Sequence, residues 1–194
     1  MATAGPSASG TAVDDNSVGT VTWSNPGNVA ASDNTYATIT APSGAAVYAH
    51  YLKCTNFGFS VPSGATIDGV TVSIDRYMTN SSGNSQYVRD DVLRLVVGGT
   101  ISGANKAVSS NWPSTETTLV SGGAADLWTL TLSDTDVNAS TFGVVLGVIL
   151  RDRFAVGGVV GYVDLITITI DYTAGGGGGL SIPAAMQSYR QRRV

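Results

Sequence analysis

The chain offers few residues that could do chemistry. One histidine, His50, and one cysteine, Cys54, stand four positions apart in AHYLKC. A catalytic histidine needs an orienting carboxylate and a nucleophile, and no G-x-S-x-G elbow occurs anywhere. His50, which alternates with Tyr48 and is flanked by Tyr51, therefore reads as a structural histidine on a sheet. Cys54 reads as a small buried hydrophobe with no sign of thiolate activation. A lone Cys also excludes an internal disulfide, and a lone His excludes a His-pair metal motif.

Carboxylates are the remaining candidates. Asp134-x-Asp136-x-Asn138 opens like a calcium loop, but the sixth and twelfth positions hold Ala139 and Val145 where an EF-hand needs Gly and Glu. Ser133 as an N-cap, with Asp134 and Asp136 in the first turn, explains the same residues as one capped helical turn. Asp14-Asp15 and Asp90-Asp91 read as solvated acidic turns, with calcium held between subunits as the alternative. Glycoside hydrolysis needs two placed carboxylates, and thirteen Asp with the single Glu116 supply no marked pair. No catalytic, cofactor or metal residue is assigned, and the chain reads as a non-enzyme. Trp23, Trp112 and Trp128 read as core or corner packing. Trp112, wedged before Pro113 in a polar loop, is the best candidate for exposure and thus for stacking against a sugar ring.

The elements that would carry these residues are strands. In NFGFSVPSGATIDGVTVSIDR (residues 56–76), Val70, Val72 and Ile74 face one way and Thr71, Ser73 and Asp75 the other. That period of two is what a half-buried strand requires. Pro62 and Gly64 supply the corner of a hairpin. Further strands are expected at residues 18–23, 36–40, 47–59 (with a bulge near 53–56), 88–97, 100–102, 116–120, 127–132, 142–151 and 159–173. Gly98-Gly99 makes a two-residue turn. In the last strand Tyr162, Ile166, Ile168, Ile170 and Tyr172 are expected on one face. About ten strands without βαβ alternation predict an all-β fold, an antiparallel β-sandwich of jelly-roll type. Residues 1–17 are expected as an extended N-terminal arm, 18–174 as the sandwich, 175–179 as a glycine linker and 180–194 as a C-terminal docking tail.

Composition narrows the partners. Charged residues make up 12% of the 194, against about 25% in ordinary soluble domains, so much of the surface is neutral or covered. Residues 1–174 hold seven Lys and Arg against fourteen acids, a balance of −7. An acidic body argues against nucleic acid, whose phosphates need a basic face. No segment approaches the roughly 20 apolar residues of a membrane span. The start, MATAGPSASGTA, lacks the basic and apolar regions of a secretory signal.

Several segments carry a resemblance: WSNPGN (23–28), ASDNTYAT (31–38), YLKCTNFGFSVPSGATIDGVTVSIDR (51–76) and AADLWTLTLSDTDVNAS (124–140). Over about residues 18–173 they resemble jelly-roll modules of tailed-bacteriophage virion proteins and bacterial surface proteins. The resemblance implies a virion structural protein, foremost a capsid decoration (cement) protein. Such a protein would be made in the host cytoplasm, form a homo-oligomer such as a trimer, and contact other capsid, neck or tail subunits. It carries no catalytic residue over. The alternative is a tail- or fibre-associated module that binds host glycan. The tail lies outside the resemblance. In helical form Ile182, Met186 and Tyr189 share one stripe, and Arg190, Arg192 and Arg193 would meet acidic groups on a neighbouring subunit. Arginines that merely solubilise the end are the other reading.

Overall fold

The computed structural model describes residues 1–154 and 158–175. Eleven strands run along these residues: β1 (Ala2–Ala8), β2 (Thr11–Asp15), β3 (Ala37–Thr40), β4 (Val47–Tyr48), β5 (Tyr51–Thr55) and β6 (Thr66–Met78), then β7 (Gln86–Val97), β8 (Thr100–Ser102), β9 (Thr117–Gly123), β10 (Gly143–Asp152) and β11 (Val160–Thr173). The first sheet has the order β1-β11-β6-β9, with β3 also on β11. The second has the order β2-β5-β10-β7-β8, with β4 also on β10. Every paired strand is antiparallel. From β5 onward the chain passes repeatedly between the sheets, the crossing pattern of a jelly roll.

Alternation builds the core between the sheets. Val70, Val72, Ile74, Ile166, Ile168 and Ile170 come from the first sheet and meet Leu93, Leu95, Val144, Leu146 and Val148 from the second, all fully or almost fully buried. Helix α1 (Asp134–Asn138) forms as expected. Ser133 Oγ accepts from the Asp136 N–H, and Asp136 accepts from the Ser133 N–H, a reciprocal capping box.

Several elements differ from the sequence reading. Residues 1–17 are extended, but they belong to the sandwich: β1 lies along β11 and β2 along β5. An arm without an apolar face is still held, because backbone N–H and C=O groups of an open strand edge need partners. Residues 18–23 contribute only a single bridge at Val21. The expected hairpin around Pro62 does not form: its first arm is not a strand, since Asn56 and Gly58 sit at φ 59° and 69° and break the pleat, and the chain crosses from β5 in the second sheet to β6 in the first. Phe57 and Phe59 still enter the core. Asn138 on α1 clamps that arm, accepting from the Val61 N–H and donating to the Val61 carbonyl, both at 2.8 Å. Residues 127–132 also fail as a strand, because Trp128 and Thr129 adopt φ 55° and 62°. Finally, a bulge at Asp164 shifts the register of β11 between Val163 and Leu165. It turns Tyr162 to the outer face, away from Ile166, Ile168 and Ile170. The 175–179 linker lies outside the described residues beyond Gly175, as does the whole 180–194 tail with Ile182, Met186, Tyr189, Arg190, Arg192 and Arg193.

Candidate ligand-binding groove

The residue expected to stack on sugar does not do so. Trp112 is 1% exposed, and its Nε1–H donates to Asp90 Oδ1 at 2.8 Å. Trp23 and Trp128 are buried as well. An indole that can reach an acceptor is driven inward by its apolar area. Asp90 is not a free acidic turn either. It points between the sheets, where it pairs with the Arg76 guanidinium from the opposite sheet and accepts from the Val108 N–H at 3.1 Å. The Arg76 guanidinium sits 4.8 Å above the Trp112 ring. Burial pulls its pKa down to about 10, which leaves it charged at neutral pH.

His50 is structural, and it has a partner the sequence did not assign. Its Nδ1 lies 2.8 Å from Asp14 Oδ2, while Asp14 Oδ1 accepts from the Trp23 N–H at 2.8 Å. The Trp23 indole then donates to the His50 carbonyl at 3.0 Å. This triangle ties β2 to the segment between β4 and β5. Cys54 is buried, and burial pushes its thiol up to about 12. Asp134 and Asp136 are used by the helix cap and its first turn. Among the described residues no group of three or more His, Cys, Asp or Glu is arranged to hold a metal ion.

A concavity of about 500 Å³ opens instead on the outer face of the second sheet. Residues 18–20 and 46–49 form its walls, and Tyr51, Asp91, Gly147 and Val148 its floor. The walls are stitched together by backbone bonds from Thr20 N–H to the Tyr48 carbonyl and from His50 N–H to the Val21 carbonyl, at 2.9 and 2.8 Å. Gly19 makes this approach possible: it sits at φ 68°, and a Cβ there would lie 2.1 Å from the Ala49 carbonyl oxygen. The His50–Asp14–Trp23 triangle braces the same wall from behind.

The floor depends on two coupled irregularities. On β10 Gly147 has no side chain, and the Tyr51 ring lies over it; a Cβ at 147 would be 2.9 Å from Tyr51 Cε1. Opposite, the register steps from Gly147↔Val92 to Val148↔Asp90, so Asp91 is the extra residue of a β-bulge. Bulges re-aim side chains. Asp90 stays inward, Asp91 and Val92 both face out, and Leu93 is inward again. Tyr48 is 52% exposed on the wall. The Asp91 carboxylate and the Tyr48 and Tyr51 hydroxyls form no hydrogen bond with the described residues. Its volume lies within the roughly 300–1,000 Å³ of small-ligand sites, and its aromatic faces and few unengaged polar groups make it the candidate site. Among the described residues that line it there is no nucleophile–base pair.

A second aromatic patch lies on the outer face of the first sheet, but its rings face one another. Tyr77 and Tyr162 stack at 4.6 Å, and Tyr36 meets both edge-on at 5.4 and 5.5 Å. The Tyr36 hydroxyl donates to Glu116 Oε2 at 3.0 Å. Desolvation first, and then this carboxylate, raise its pKa.

The groove was not read from the sequence. Gly147 inside the apolar run GVVLGVIL is the signal that could have pointed to a close approach there. Nothing in the sequence showed that Asp90 and Asp91 would part, or that residues 18–20 would form a wall. No family model matches the chain, and no curated protein matches it. A solved structure described as "CBM4 structure and function" aligns over 74% of this chain and 87% of its own, at 14% identity and a TM-score of 0.35. A likeness at that score carries no argument about this chain, which stands on its own geometry as an all-β antiparallel sandwich.

Proposed function

We propose that this chain is a non-catalytic glycan-binding β-sandwich that serves as an adhesive part of a bacteriophage particle. The groove floored by Tyr51 over Gly147 carries the reading. A sugar ring presents an apolar C–H face and a hydroxyl rim. Tyr51 and Tyr48 offer aromatic faces for the first, and Asp91 with the tyrosine hydroxyls offers hydrogen bonds for the second. The virion setting rests on the resemblance of residues 18–173 to virion modules. The test is affinity electrophoresis of the full chain against host cell-wall and capsular polysaccharides. Tyr51→Ala should weaken retention roughly tenfold, as loss of a central aromatic anchor does. Tyr36→Ala on the opposite sheet should leave it unchanged. Equal retention of wild type and Tyr51→Ala would overturn the reading.

A second reading, a cement-type subunit that packs against other virion proteins or its own copies, is favoured by a different surface. Val120 is 60% exposed on the edge strand β9, beside a face of Thr71, Ser73, Thr167 and Thr169. Neutral, flat edges of this kind are normally guarded by charge when they stay in water. If this face is buried in an assembly, Val120→Lys should lower the oligomeric state seen by light scattering. An unchanged monomer for both chains would remove the reading.

A further inference from the structure

We infer that the groove selects an uncharged glycan over a uronic-acid or sulfated one, and that Asp91 makes the choice. This deepens the glycan reading above and rests on it. The Asp91 carboxylate is exposed on the groove floor and accepts nothing from the described residues, so its lone pairs are open to two neighbouring sugar hydroxyls. To a carboxylate or sulfate the same group offers only repulsion. The residues lining the groove include no Lys or Arg to offset it. Four cations among the described residues lie on the same face but outside the lining. Arg89 donates to Asn111 and Asn84, and Arg151 donates to the Asn84 carbonyl. Lys53 is 3.4 Å from Asp15 and engaged there, and Arg94 stands opposite Val145, beyond the bulge. At longer range the −7 balance of residues 1–174 opposes any polyanion.

The position of Asp91 is fixed from inside the sandwich. Its neighbour Asp90 is held by Arg76, the Trp112 indole and the Val108 N–H. Three donors on Asp90 pin one side of the bulge, and so determine where residue 91 emerges beside Tyr51. Arg76, Asp90 and Trp112 are thus positioning residues for a specificity determinant they do not touch.

The test compares matched polymers: mannan with polymannuronate, galactan with polygalacturonate, and glucan with polyglucuronate. Each is titrated into the full-length chain by calorimetry at low salt. The neutral member of the bound pair should be favoured by about tenfold, with the gap shrinking as salt is added. Asp91→Asn should close the gap mainly by admitting the uronate, while Tyr51→Ala should weaken both members. Asp91 is exposed, so the variant should keep its near-UV circular dichroism. Uronate bound as well as or better than the neutral polymer, through Tyr51, would overturn this inference and leave the groove reading standing. Binding of no polymer, or binding indifferent to Tyr51, would overturn both.

Discussion

Arg76 sits in a strand whose other inward residues are apolar, and its charge is met from across the sandwich. The pair with Asp90 is closed to water, with side chains 5% and 0% exposed. Removing one partner strands the other charge in the core. Arg76→Met should therefore cost about 3–5 kcal/mol of unfolding free energy in denaturant titrations. The double variant Arg76→Met/Asp90→Leu should recover only part of that loss, since it removes the stranded charge but takes the acceptor from the Trp112 indole and the Val108 N–H. If the double variant is no better than the single, the cost lies in packing around Trp112 instead. Cys54 supplies a second prediction at this scale. With its thiol pushed up to about 12 by burial, it should resist a thiol reagent at pH 8 in the native protein and react promptly in denaturant. Rapid labelling of the native chain would mean that β5 opens readily.

Among the elements, β11 carries the greatest burden, since it pairs with β1, β3 and β6. Its middle residues have the same phase in sequence and structure. Ile168 is 0% exposed between Val72 and Ser7 across the sheet. Ile168→Ala should cost roughly 2–5 kcal/mol by chemical denaturation, the range for large-to-small changes at closed core sites. A loss below about 0.5 kcal/mol would place that side chain outside the core. The bulge at Asp164 shows why a phase cannot be extended along a whole strand: one inserted residue reverses every position beyond it. The bulge at Asp91 has the same origin and a different use, because it is the one that shapes the groove.

For the molecule as a whole, the charge in the sequence is divided: residues 1–174 balance to −7, and the last five residues hold Arg190, Arg192 and Arg193. The 20 residues from Gly175 onward could span at most about 65–70 Å when extended, far enough to reach a neighbouring subunit. If the chain has the proposed virion role, deletion after Ala174 should leave the sandwich melting temperature unchanged and abolish incorporation into particles, measured by mass spectrometry of purified virions. Charge reversal at Arg190, Arg192 and Arg193 should give a milder defect. Normal incorporation of the truncated chain would end the docking reading. Metal removal is the other whole-molecule test. EDTA should not shift the melting curve, because Asp136 is engaged in the α1 cap and Asp90 with Arg76. A drop of several degrees would put calcium back at Asp134 and Asp136.

Features set by neighbours along the chain could be read from residue order. The alternation of Val70, Val72 and Ile74, the Gly98–Gly99 turn and the Ser133 cap are all local, and each has its expected form, while Pro62–Gly64 turns the chain as expected but between the two sheets rather than within a hairpin. So does the β-sandwich class, which follows from many short strands with one inward face each. Tertiary structure decided what depends on partners distant in sequence. Trp112, in a polar loop, found an acceptor 22 residues away and went inside. The N-terminal residues, with no apolar face, were taken up by the open edges of β11 and β5. Asp90 and Asp91, identical neighbours in sequence, were separated by a bulge whose register is set by β10. The groove arises from these long-range pairings, because its floor and walls come from segments more than a hundred residues apart.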